Sequence, residues 1–523
     1  MSSSNHVPGW VPVVIIGGGP TGIAAATLLA QHGIECVLLD RWANVYPQPR
    51  AVSADDEVFR ILARLGIGEE FAAISRPGLG LRLVDSNLNV LSEFRRSPKT
   101  GVNGFPESNM FDQPELEHLL RVNLQAYPDA RLRGDAEVTA IAQTSASRVR
   151  VSFTDRGDGS EQVIDANYVL GCDGANSLTR RVIGAGMQDL GFTQRWLVID
   201  VDTHTDLHQW DGVHQLCSAV RGGTYMRVGA TRYRWEFQLL GGETADDYQS
   251  LADIYPLISP WVSGIPVERL TLVRTCEYTF RAQVASHWRE RSVFILGDAA
   301  HLTPPFIGQG MGAGLRDAMN LAWKLAGVLT ATLPETVLDT YQDERKRHAR
   351  AMIRYAVGIG WAMTTGGEVG DRLRRRVMPW IAPLSARFGS AATPALRSSL
   401  ITTSRRPGGL AGKLCPNPVL PTGRRFDDVV GNHVCVATRR RLTREQHHRL
   451  RTAGVIVLDV AEDSELGTWL RRGRAQAALV RPDRTVMCAA RDVDELCAAA
   501  LKITTPVQPI DPPRQTRTQG EAR

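Results

Sequence analysis

The sequence predicts an α/β fold with a Rossmann-like domain, an inserted antiparallel sheet and a further C-terminal domain. Three observations lead to this prediction. An apolar, β-branched run at residues 11–16 passes through a glycine-rich turn into an Ala/Leu-rich stretch, as in a strand–turn–helix unit. Segments between residues 80 and 282 alternate apolar and polar residues, as antiparallel strands do. Beyond residue 405, prolines and glycines punctuate a linker before a new β/α pattern begins.

The first glycine-rich turn reads GGGPTG and has the spacing of a dinucleotide-binding fingerprint. Gly17 permits the tight turn, Gly19 lets backbone N–H groups approach a pyrophosphate, and Gly22 lets the helix pack on the sheet. Pro20 and Thr21 stand at the start of that helix, whose N-terminus attracts phosphates. We expect these residues to hold a dinucleotide, and the alternative is a glycine turn without a ligand.

A second apolar run, Glu35 to Leu39, ends in Asp40, eighteen positions after Gly22. A carboxylate at the end of this strand can accept hydrogen bonds from ribose hydroxyls. It also argues against a 2′-phosphate at this site, because like charges repel.

The second glycine-rich segment begins where the strand Arg291 to Leu296 delivers Gly297 and Asp298 to a turn. Further along come Pro304, Pro305, Gly308, Gly310, Gly312 and Gly314, and then a helix from about residue 315 to 329. A helix with such a first turn can place N–H groups against the edge of a planar ring, and its dipole stabilises the anion of a reduced flavin. Nicotinamide gains no such charge on reduction, so we predict FAD.

Three motifs in order resemble the class A (single-component) flavoprotein monooxygenases, the aromatic hydroxylases that include p-hydroxybenzoate hydroxylase and phenol hydroxylase. The motifs are GGGPTG, CDGANSLTR at residues 172–180, and GDAAH followed by PPFIGQGM. The runs PRAVSADDE and GLRDAMNLAWKL look most like 3-(3-hydroxyphenyl)propionate hydroxylases and related polyketide-tailoring enzymes. The resemblance covers roughly residues 10–400. One departure is Gly312, where many members have Asn, so no role of that Asn can be transferred.

With this resemblance, the expected domains follow the motifs. Residues 8–190 and 286–400 form a discontinuous FAD-binding domain of the p-hydroxybenzoate hydroxylase type, interrupted by residues 71–104 and 191–285, which form the substrate-binding sheet. Six segments are predicted as strands of this inserted region: 80–94, 196–203, 214–220, 223–228, 233–239 and 270–282. Residues 358–405 are expected to be helical and basic, with Arg372 to Arg376 on a solvated face or, alternatively, at a membrane surface.

Residues 406–504 resemble the thioredoxin-like C-terminal domain of the larger phenol hydroxylases, and 505–523 are expected to be disordered. Strands are predicted at 431–437, 454–460 and 475–481, and a helix at 493–502. The domain has no C-x-x-C pair, so we expect no redox chemistry from it. Its own apolar periodicity beyond a linker predicts a unit that folds separately, without which FAD would still bind.

The resemblance also assigns residues to FAD. Asp298 would bond the ribityl chain, Arg50 would lie along the FAD near its ring, and Arg41 would flank the adenosine ribose unless it is simply exposed. Asp173 and Gly174 are linked to pyrophosphate and NAD(P)H use, with an Asx turn as the alternative. Gln113 would lie near the FAD, or would only occupy the first turn of a helix capped by Asp112. The cofactor-binding set further includes the glycine-motif residues above together with Pro304, Gly308, Gly310, Met311 and Gly312.

Candidate catalytic residues are Asp56, Tyr225, Tyr278, Arg281 and Pro305. Asp55 and Asp56 begin a helix, so either they cap N–H groups or one lies near the phenol, as an aspartate does in phenol hydroxylase. Tyr225, Tyr278 and Arg281 lie on the inserted sheet and would either bond a phenolate or pack there. Pro305 and its neighbours would form a dry wall. His301 would approach the flavin or make a structural hydrogen bond.

The implied reaction is hydroxylation: NAD(P)H reduces FAD, O₂ adds to give a flavin hydroperoxide, and one oxygen atom passes to a phenolic or polyketide aromatic substrate. No metal is required. Rival interpretations are another FAD enzyme, such as a reductase or a halogenase, and a non-catalytic FAD-binding protein that stabilises a reactive intermediate. The W-x-W-x-I-P signature of halogenases is absent from the sequence.

Composition is that of an ordinary globular protein: 523 residues, 43% hydrophobic and 22% charged. The excess of 61 basic over 55 acidic residues is too small for a nucleic-acid partner. Eight scattered cysteines indicate neither zinc nor a disulfide framework, so we expect a cytoplasmic enzyme, with a homodimer as one possible assembly. The N-terminus lacks a signal-peptide pattern, and the apolar stretch 11–30 is explained by the glycine fingerprint, so no membrane partner is expected.

Overall fold

The computed structural model describes residues 8–46, 51–145, 147–218, 220–364, 394–402 and 409–504. Arg50, Arg372 to Arg376 and the tail 505–523 lie outside the described residues, as does most of the predicted basic helix at 358–405. Of the parts that are described, residues 358–364 are helical as predicted, and residues 394–402 are not helical, which corrects the prediction there.

Three sheets and one small ribbon are built from the strands. The strands are β1 (Trp10–Ile16), β2 (Cys36–Leu39), β3 (Ser53–Asp55), β4 (Arg76–Pro77), β5 (Gly80–Val84), β6 (Val90–Arg95), β7 (Ser108–Met110), β8 (Ala130–Arg133), β9 (Ala136–Ser145), β10 (Arg148–Asp155), β11 (Glu161–Gly171), β12 (Met187–Asp202), β13 (Val213–Leu216), β14 (Gly223–Arg227), β15 (Arg232–Gln238), β16 (Thr271–Ala285), β17 (Arg289–Glu290), β18 (Val293–Ile295), β19 (His301–Leu302), β20 (Cys435–Thr438), β21 (Ile456–Asp459), β22 (Ala477–Val480) and β23 (Val486–Ala490).

The helices cover these sheets. They are α1 (Pro20–Gln31), α2 (Asp56–Leu65), α3 (Gly68–Ile74), α4 (Gln113–Leu124), α5 (Leu178–Val182), α6 (Leu251–Ile258), α7 (Gly310–Leu329), α8 (Asp339–Thr364), α9 (Phe426–Val430), α10 (Arg444–Thr452), α11 (Glu465–Arg472) and α12 (Val493–Thr504).

The first sheet forms the core of the predicted Rossmann-like domain. Its central order is β17-β18-β11-β1-β2-β8, with β10 and β9 added antiparallel beyond β11. Strands β18, β11, β1, β2 and β8 run parallel, the apolar run of β1 is buried, and α1 packs against β1, β2 and β8. Helix α1 packs against α7, which brings the two glycine-rich segments together although nearly three hundred residues separate them.

The second sheet is the inserted one, and we call it the roof sheet. Its order is β19-β16-β12-β15-β14-β13-β5-β6, antiparallel except for the parallel pair β13–β5. All six predicted segments contribute, although residues 80–94 form a hairpin of two strands rather than one. One face packs on α6 and an aromatic core that includes Trp235 and Trp261. Side chains of the opposite face, such as Thr224 and Met226, line a cavity that residues of the first sheet also line.

The third sheet belongs to the C-terminal region and has the order β21-β20-β22-β23. Strands β20 and β21 are parallel, and β22 and β23 are antiparallel additions. The β-α-β-α-β-β-α order of β20 to α12 is consistent with the thioredoxin-like expectation. The predicted strands and final helix are present, while β23, α10 and α11 were not predicted. All eight cysteines are free, and the described residues contain no cluster suited to a metal ion.

The C-terminal sheet is joined to the rest of the molecule by buried ion pairs. Arg481, at the end of β22, donates from both terminal nitrogens to Glu344 of α8, at 2.7 and 2.9 Å. Arg60 of α2 donates two hydrogen bonds of 2.7 Å to Asp427. In the parts of the chain that the structure covers, no helix has the length and apolar character needed to cross a bilayer.

Candidate flavin and substrate cavity

A cavity of about 1300 Å³ lies between the Rossmann-like sheet and the roof sheet. One part is lined by the GGGPTG turn and Asp40, another by Asp298 and residues 305–311, and a third by side chains of the roof sheet. This volume exceeds the 300–1,000 Å³ typical of a site for one small ligand. The cavity therefore has room for a dinucleotide and a second, smaller molecule.

The GGGPTG turn has the geometry of a phosphate site. Gly17 has φ +104°, and a Cβ there would collide with the Cys172 carbonyl oxygen, so this position requires glycine. Gly19 is the N-cap of α1, makes no side-chain cap and faces open space where a Cβ would meet no protein atom. Pro20 and Thr21 line the cavity beside it, whereas Gly22 does not line it and packs against the Gly17 carbonyl. The N-terminus of α1 thus has no side chain that caps its N–H groups, and these groups are open to an anion.

Asp40 lies at the end of β2 and lines the cavity. Its carboxylate accepts hydrogen bonds of 3.0 Å from the backbone amides of Gly18 and Trp42. Arg121 of α4 donates to the same carboxylate at 3.2 Å and also lines the cavity, a contact that sequence reasoning missed because the two residues are 81 positions apart. Arg41 lines the cavity as well, with its guanidinium 5.5 Å from the Trp42 ring.

Asp173 and Gly174 line the cavity next to this turn. The Asp173 carboxylate accepts hydrogen bonds from the Ser177 hydroxyl at 2.5 Å and from the Thr179 amide at 2.9 Å. The alternative raised from the sequence, a local turn, is therefore present in the structure. The carboxylate organises the start of α5, and the motif still presents its backbone to the cavity.

The second glycine-rich segment forms the opposite wall. Asp298, Pro305, Gly308, Gly310 and Met311 line the cavity. Gly308 has φ +62° and closes a 3-10 turn over Pro305–Ile307. Gly310 begins α7, and a Cβ there would meet no protein atom within 4 Å. This is the cradle that a flat ring would occupy.

Three residues predicted from this segment are placed behind the wall instead of in it. Pro304 is buried, and Gly297 and Gly312 do not line the cavity. A Cβ on Gly297 would meet Thr21 at 2.9 Å, and one on Gly312 would meet Val58 at 2.7 Å. Their small size allows the two glycine-rich segments and α2 to pack closely.

Asp55 fixes the position of the second segment. Its Oδ1 accepts from the Val58 amide at 2.7 Å, as an N-cap does, and its Oδ2 accepts from Gln309 at 2.9 Å and Arg316 at 2.6 Å. Burial opposes ionisation of Asp55, but the charge of Arg316 and these hydrogen bonds outweigh burial and lower its pKa. Asp55, and not Asp56, is thus the aspartate of this pair that lines the cavity.

Gln113 also lines the cavity and is used structurally. Its Oε1 accepts from the Ala51 amide at 2.6 Å, and its Nε2 donates to Glu117 at 2.5 Å. Gln113 therefore anchors the end of the segment that contains Arg50, whose own position lies outside the described residues.

The roof sheet supplies an aromatic surface to the cavity. Tyr278, Arg281, Trp196 and Phe280 of this sheet line the cavity, and Phe306 of the 3-10 turn over Pro305–Ile307 also lines it. The sequence did not single out Trp196, Phe280 and Phe306. Trp196 and Phe306 meet edge to face with ring centroids 6.0 Å apart. Such a wall is suited to an aromatic ligand and excludes water.

Tyr225 was predicted to be catalytic, and the structure contradicts this. The side chain is 1% exposed and packs in the aromatic core on the far face of the roof sheet, against Trp235 and Trp261. Its strand neighbours Thr224 and Met226 face the cavity instead. Because successive side chains of a strand point to opposite faces, an error of one residue moves a side chain out of the site.

Asp56 and His301 are also outside the cavity. Asp56 lines a separate cavity of about 410 Å³ between α2 and the C-terminal region, and the Asn103 amide donates to its carboxylate at 3.4 Å. His301 is 1% exposed, and its Nε2 lies 2.7 Å from Asp317. Asp317 also accepts from the Gly297 amide at 3.0 Å and from Arg345 at 2.8 Å. His301 thus takes the structural role that was raised as its alternative.

The geometry fits FAD. Glycines with open space stand at both walls, an uncapped helix N-terminus faces the phosphate end, and aromatic side chains cover the third part. A family model described as an FAD binding domain matches residues 10–356. Over 528 residues, and 97% of both chains, the sequence is 30% identical to a probable NADH-specific resorcinol 4-hydroxylase of Rhodococcus jostii (strain RHA1). The chain belongs to the FAD-dependent aromatic hydroxylases.

Other relatives agree with this assignment. The hydroxylase is 33% identical over 436 residues to the 3-(3-hydroxy-phenyl)propionate/3-hydroxycinnamic acid hydroxylase 2 of Burkholderia vietnamiensis (strain G4 / LMG 22486), covering 80% of this chain and 77% of that protein. Together with the FAD-binding family model and the NADH-specific relative, this match supports a flavoprotein monooxygenase that uses FAD and a nicotinamide cofactor.

Solved structures show the same fold. The flavin-dependent monooxygenase PieE, in complex with FAD and substrate, superposes with a TM-score of 0.80 at 22% identity, covering 95% of the hydroxylase and 99% of that chain. A ternary complex of aklavinone-11 hydroxylase with FAD and aklavinone gives 0.78 at 23% identity, covering 94% and 99%.

Proposed function

We propose that this hydroxylase inserts one oxygen atom of O₂ into a phenolic aromatic ring, with NADH as the reductant. The observation that carries the proposal is the single cavity, in which a phosphate-binding turn, a glycine cradle and an aromatic roof are continuous. Support for phenolic substrates comes from relatives named for resorcinol and for a hydroxyphenyl propionate. Support for NADH comes from the relative that covers 97% of the chain. A cytoplasmic location and a homodimer remain predictions from the sequence.

The cofactor is proposed to occupy the two glycine walls. Gly17, Gly19, Pro20 and Thr21 would hold the pyrophosphate, and Asp40 would accept from ribose hydroxyls. Asp298 would bond the ribityl chain, with Pro305, Gly308, Gly310 and Met311 against the ring. Bound FAD supplies the transfer of electrons from NADH to O₂ and of oxygen to the substrate.

The roof sheet is proposed to bind the substrate ring. Trp196 and Phe280 of this sheet, together with Phe306 of the second glycine-rich segment, would stack on the ring and keep water from the reacting atoms. Tyr278 and Arg281 remain candidates to bond the phenolic oxygen, since an arginine favours the phenolate form and a phenolate carbon is more electron-rich. The Asp55–Gln309–Arg316 contacts hold the cradle in place beneath the ring.

The test is oxygen and NADH consumption by the flavin-loaded protein with phenol, resorcinol and 3-(3-hydroxyphenyl)propionate, followed by product mass. The proposal predicts that at least one phenol accelerates NADH oxidation and is recovered one oxygen atom heavier. If the protein holds FAD but no phenol changes NADH oxidation, it binds a flavin without this activity. If NADH oxidation is stimulated but all the O₂ is recovered as hydrogen peroxide, the phenol is an effector and not the substrate.

A further inference from the structure

A polar patch interrupts the apolar surface of the roof sheet, and nothing above assigns it a role. It comprises Glu236 of β15, Thr224 of β14 and Gln215 of β13, all of which line the cavity. Thr224 lies directly opposite Glu236 in the antiparallel register, and Gln215 lies opposite Thr224. The three side chains therefore form a row across three neighbouring strands on one face.

Within this row, Thr224 and Gln215 satisfy each other. The Thr224 hydroxyl donates to the Gln215 amide oxygen at 3.1 Å, and the Gln215 amide nitrogen donates to the Gly223 carbonyl at 2.9 Å. The Thr224 hydroxyl oxygen retains the capacity to accept a hydrogen bond. These bonds fix both side chains at the cavity surface.

Glu236 differs from its neighbours. It is only 6% exposed, yet among the residues that the structure describes no side chain or amide lies within hydrogen-bond or ion-pair distance of its carboxyl group. On the other flank it faces Val198, which cannot bond it. A buried carboxyl without a partner costs stability, and where it faces a cavity it is a group that a ligand can satisfy.

The nearest cations are already engaged. Arg234 donates to both carboxylate oxygens of Asp200, at 2.7 and 3.0 Å, and Arg274 donates to Asp200 at 2.6 Å. Burial raises the pKa of the Glu236 carboxyl; Arg234 and Arg274 oppose the rise and Asp200 adds to it. Among the described residues, a substrate carboxylate placed here would face the acids Glu236 and Asp200 as well as the two arginines, which are already paired with Asp200.

Arg281 is too distant to change this balance. It is five positions along β16 from Cys276, which lies level with Val198 and Glu236 in the sheet register. At about 3.4 Å per residue, five positions amount to roughly 17 Å. The neighbourhood of Glu236 is therefore suited to a neutral hydrogen-bond donor.

We propose that Glu236 is a substrate-specificity residue that accepts a hydrogen bond from a second, neutral hydroxyl group on the aromatic substrate. The site thus selects rings with two hydroxyl groups, such as resorcinol, over rings with one. The inference rests on the proposed function, because it places the substrate ring beneath the roof sheet.

The test compares resorcinol with phenol as probes of the oxidised, FAD-loaded enzyme, using the change in flavin absorbance on titration, which needs no turnover. A hydrogen bond to a charged group is worth about tenfold or more in affinity, and one to a neutral group less. We expect Glu236→Leu to weaken resorcinol binding about tenfold or more and to leave phenol binding unchanged. Glu236→Gln, which retains an acceptor, should give an intermediate loss for resorcinol alone.

The matched control is Glu277→Gln. Glu277 lies on the neighbouring region of the roof sheet, is exposed and pairs with Arg195, away from the cavity. The Glu277→Gln variant should bind phenol and resorcinol as tightly as the wild type does. Equal losses for phenol and resorcinol in the Glu236 variants, or no loss for either, would overturn the inference while the wild type still hydroxylates phenols. A wild type that holds FAD but neither binds nor converts any phenol would refute the proposed function, and the inference with it.

Discussion

At the scale of single residues, two glycines that line the cavity have no side chain to fill it. Gly19 and Gly310 lie on two different walls of the same cavity. A Cβ atom at either position would have no protein atom within 4 Å. Backbone that approaches a ligand this closely leaves no room for a side chain. We propose that the cofactor occupies the space at these two glycines.

Gly310→Val tests this directly. Its φ lies outside the left-handed region, so the backbone can accept valine and the added methyl groups project into the cradle. We expect a folded protein that has lost most of its FAD. Flavin absorbance per protein, with circular dichroism to verify folding, measures the effect. Gly241→Val is the matched control, since Gly241 also has open space and ordinary φ but does not line the cavity. Equal FAD content in both variants would remove Gly310 from the site.

The buried carboxyl group of Asp56 is expected to make the stability of the protein depend on pH. Burial, with the charge of Asp55, raises the pKa of Asp56 from 3.8 to about 6. The folded protein therefore holds the proton of the Asp56 carboxyl group more tightly than the unfolded chain does. Stability is lost as the pH rises from the unfolded pKa of 3.8 through the folded pKa of about 6. Asp56→Asn should therefore be about 3 kcal/mol more stable than the wild type above the range and about equal to it below.

Denaturant unfolding at about pH 3.5, below the range, and at about pH 8, above it, measures this difference. FAD content and hydroxylation rate should stay at the wild-type level, because the side chain lines the separate interdomain cavity. The same stability change at both pH values would mean that Asp56 titrates normally, and loss of hydroxylation in a stable variant would return it to the catalytic set.

At the scale of elements, α7 is tied to α2 through Arg316. This guanidinium, 7% exposed, bonds Asp55 at 2.6 Å, Gln309 at 2.7 Å and Glu57 at 2.8 Å. Removing one member of a buried ionic cluster costs about 3–5 kcal/mol, because it leaves carboxylates without a counter-charge. Arg316→Met should lower the free energy of unfolding by that amount and weaken FAD binding, because Gln309 borders the cradle.

Denaturant titration and flavin release on dilution measure the two effects. Arg354→Met, an exposed arginine of α8, is the control and should change stability by less than about 0.5 kcal/mol. An Arg316 variant with unchanged stability and flavin affinity would show that these contacts do not hold the loop.

Comparing elements also shows what a sequence can predict. Local motifs indicated β1, the GGGPTG turn, α1, β18 and α7, because their glycines and apolar runs carry the geometry themselves. The face of the sheet to which each side chain points was harder to predict. Tyr225 was predicted in the cavity, but its neighbours Thr224 and Met226 line it instead. The roof sheet has apolar residues on both faces, so the alternation of side chains does not reveal which face meets the site. Glu236 was missed because a buried acid resembles any polar strand residue until its surroundings are known.

At the scale of the whole molecule, the C-terminal region is more strongly attached than its linker suggested. Arg481 and Asp483 meet Glu344 and Lys324 in a cluster whose charged side chains are at most 3% exposed. Each charged side chain of this cluster is removed from water, so each one needs its partners to compensate its charge. The sequence could not show this, because R-P-D-R at residues 481–484 is also an ordinary turn.

Arg481→Met should consequently destabilise the whole protein by about 3–5 kcal/mol, although it is remote from the flavin motifs. Thermal or denaturant unfolding followed separately by flavin fluorescence and by circular dichroism should show one shifted transition. Arg471→Met, an exposed residue of α11, should behave as the wild type. An unshifted flavin transition would mean that the C-terminal region unfolds independently, as the sequence alone predicted.

The central claim is that the cavity transfers oxygen from O₂ to an aromatic ring. The most direct measurement is turnover of the FAD-loaded enzyme with NADH and a hydroxylated phenol under isotopically labelled O₂. The account predicts a hydroxylated product that contains one labelled oxygen atom. A product that carries oxygen from water, or labelled oxygen recovered only as hydrogen peroxide, would contradict it.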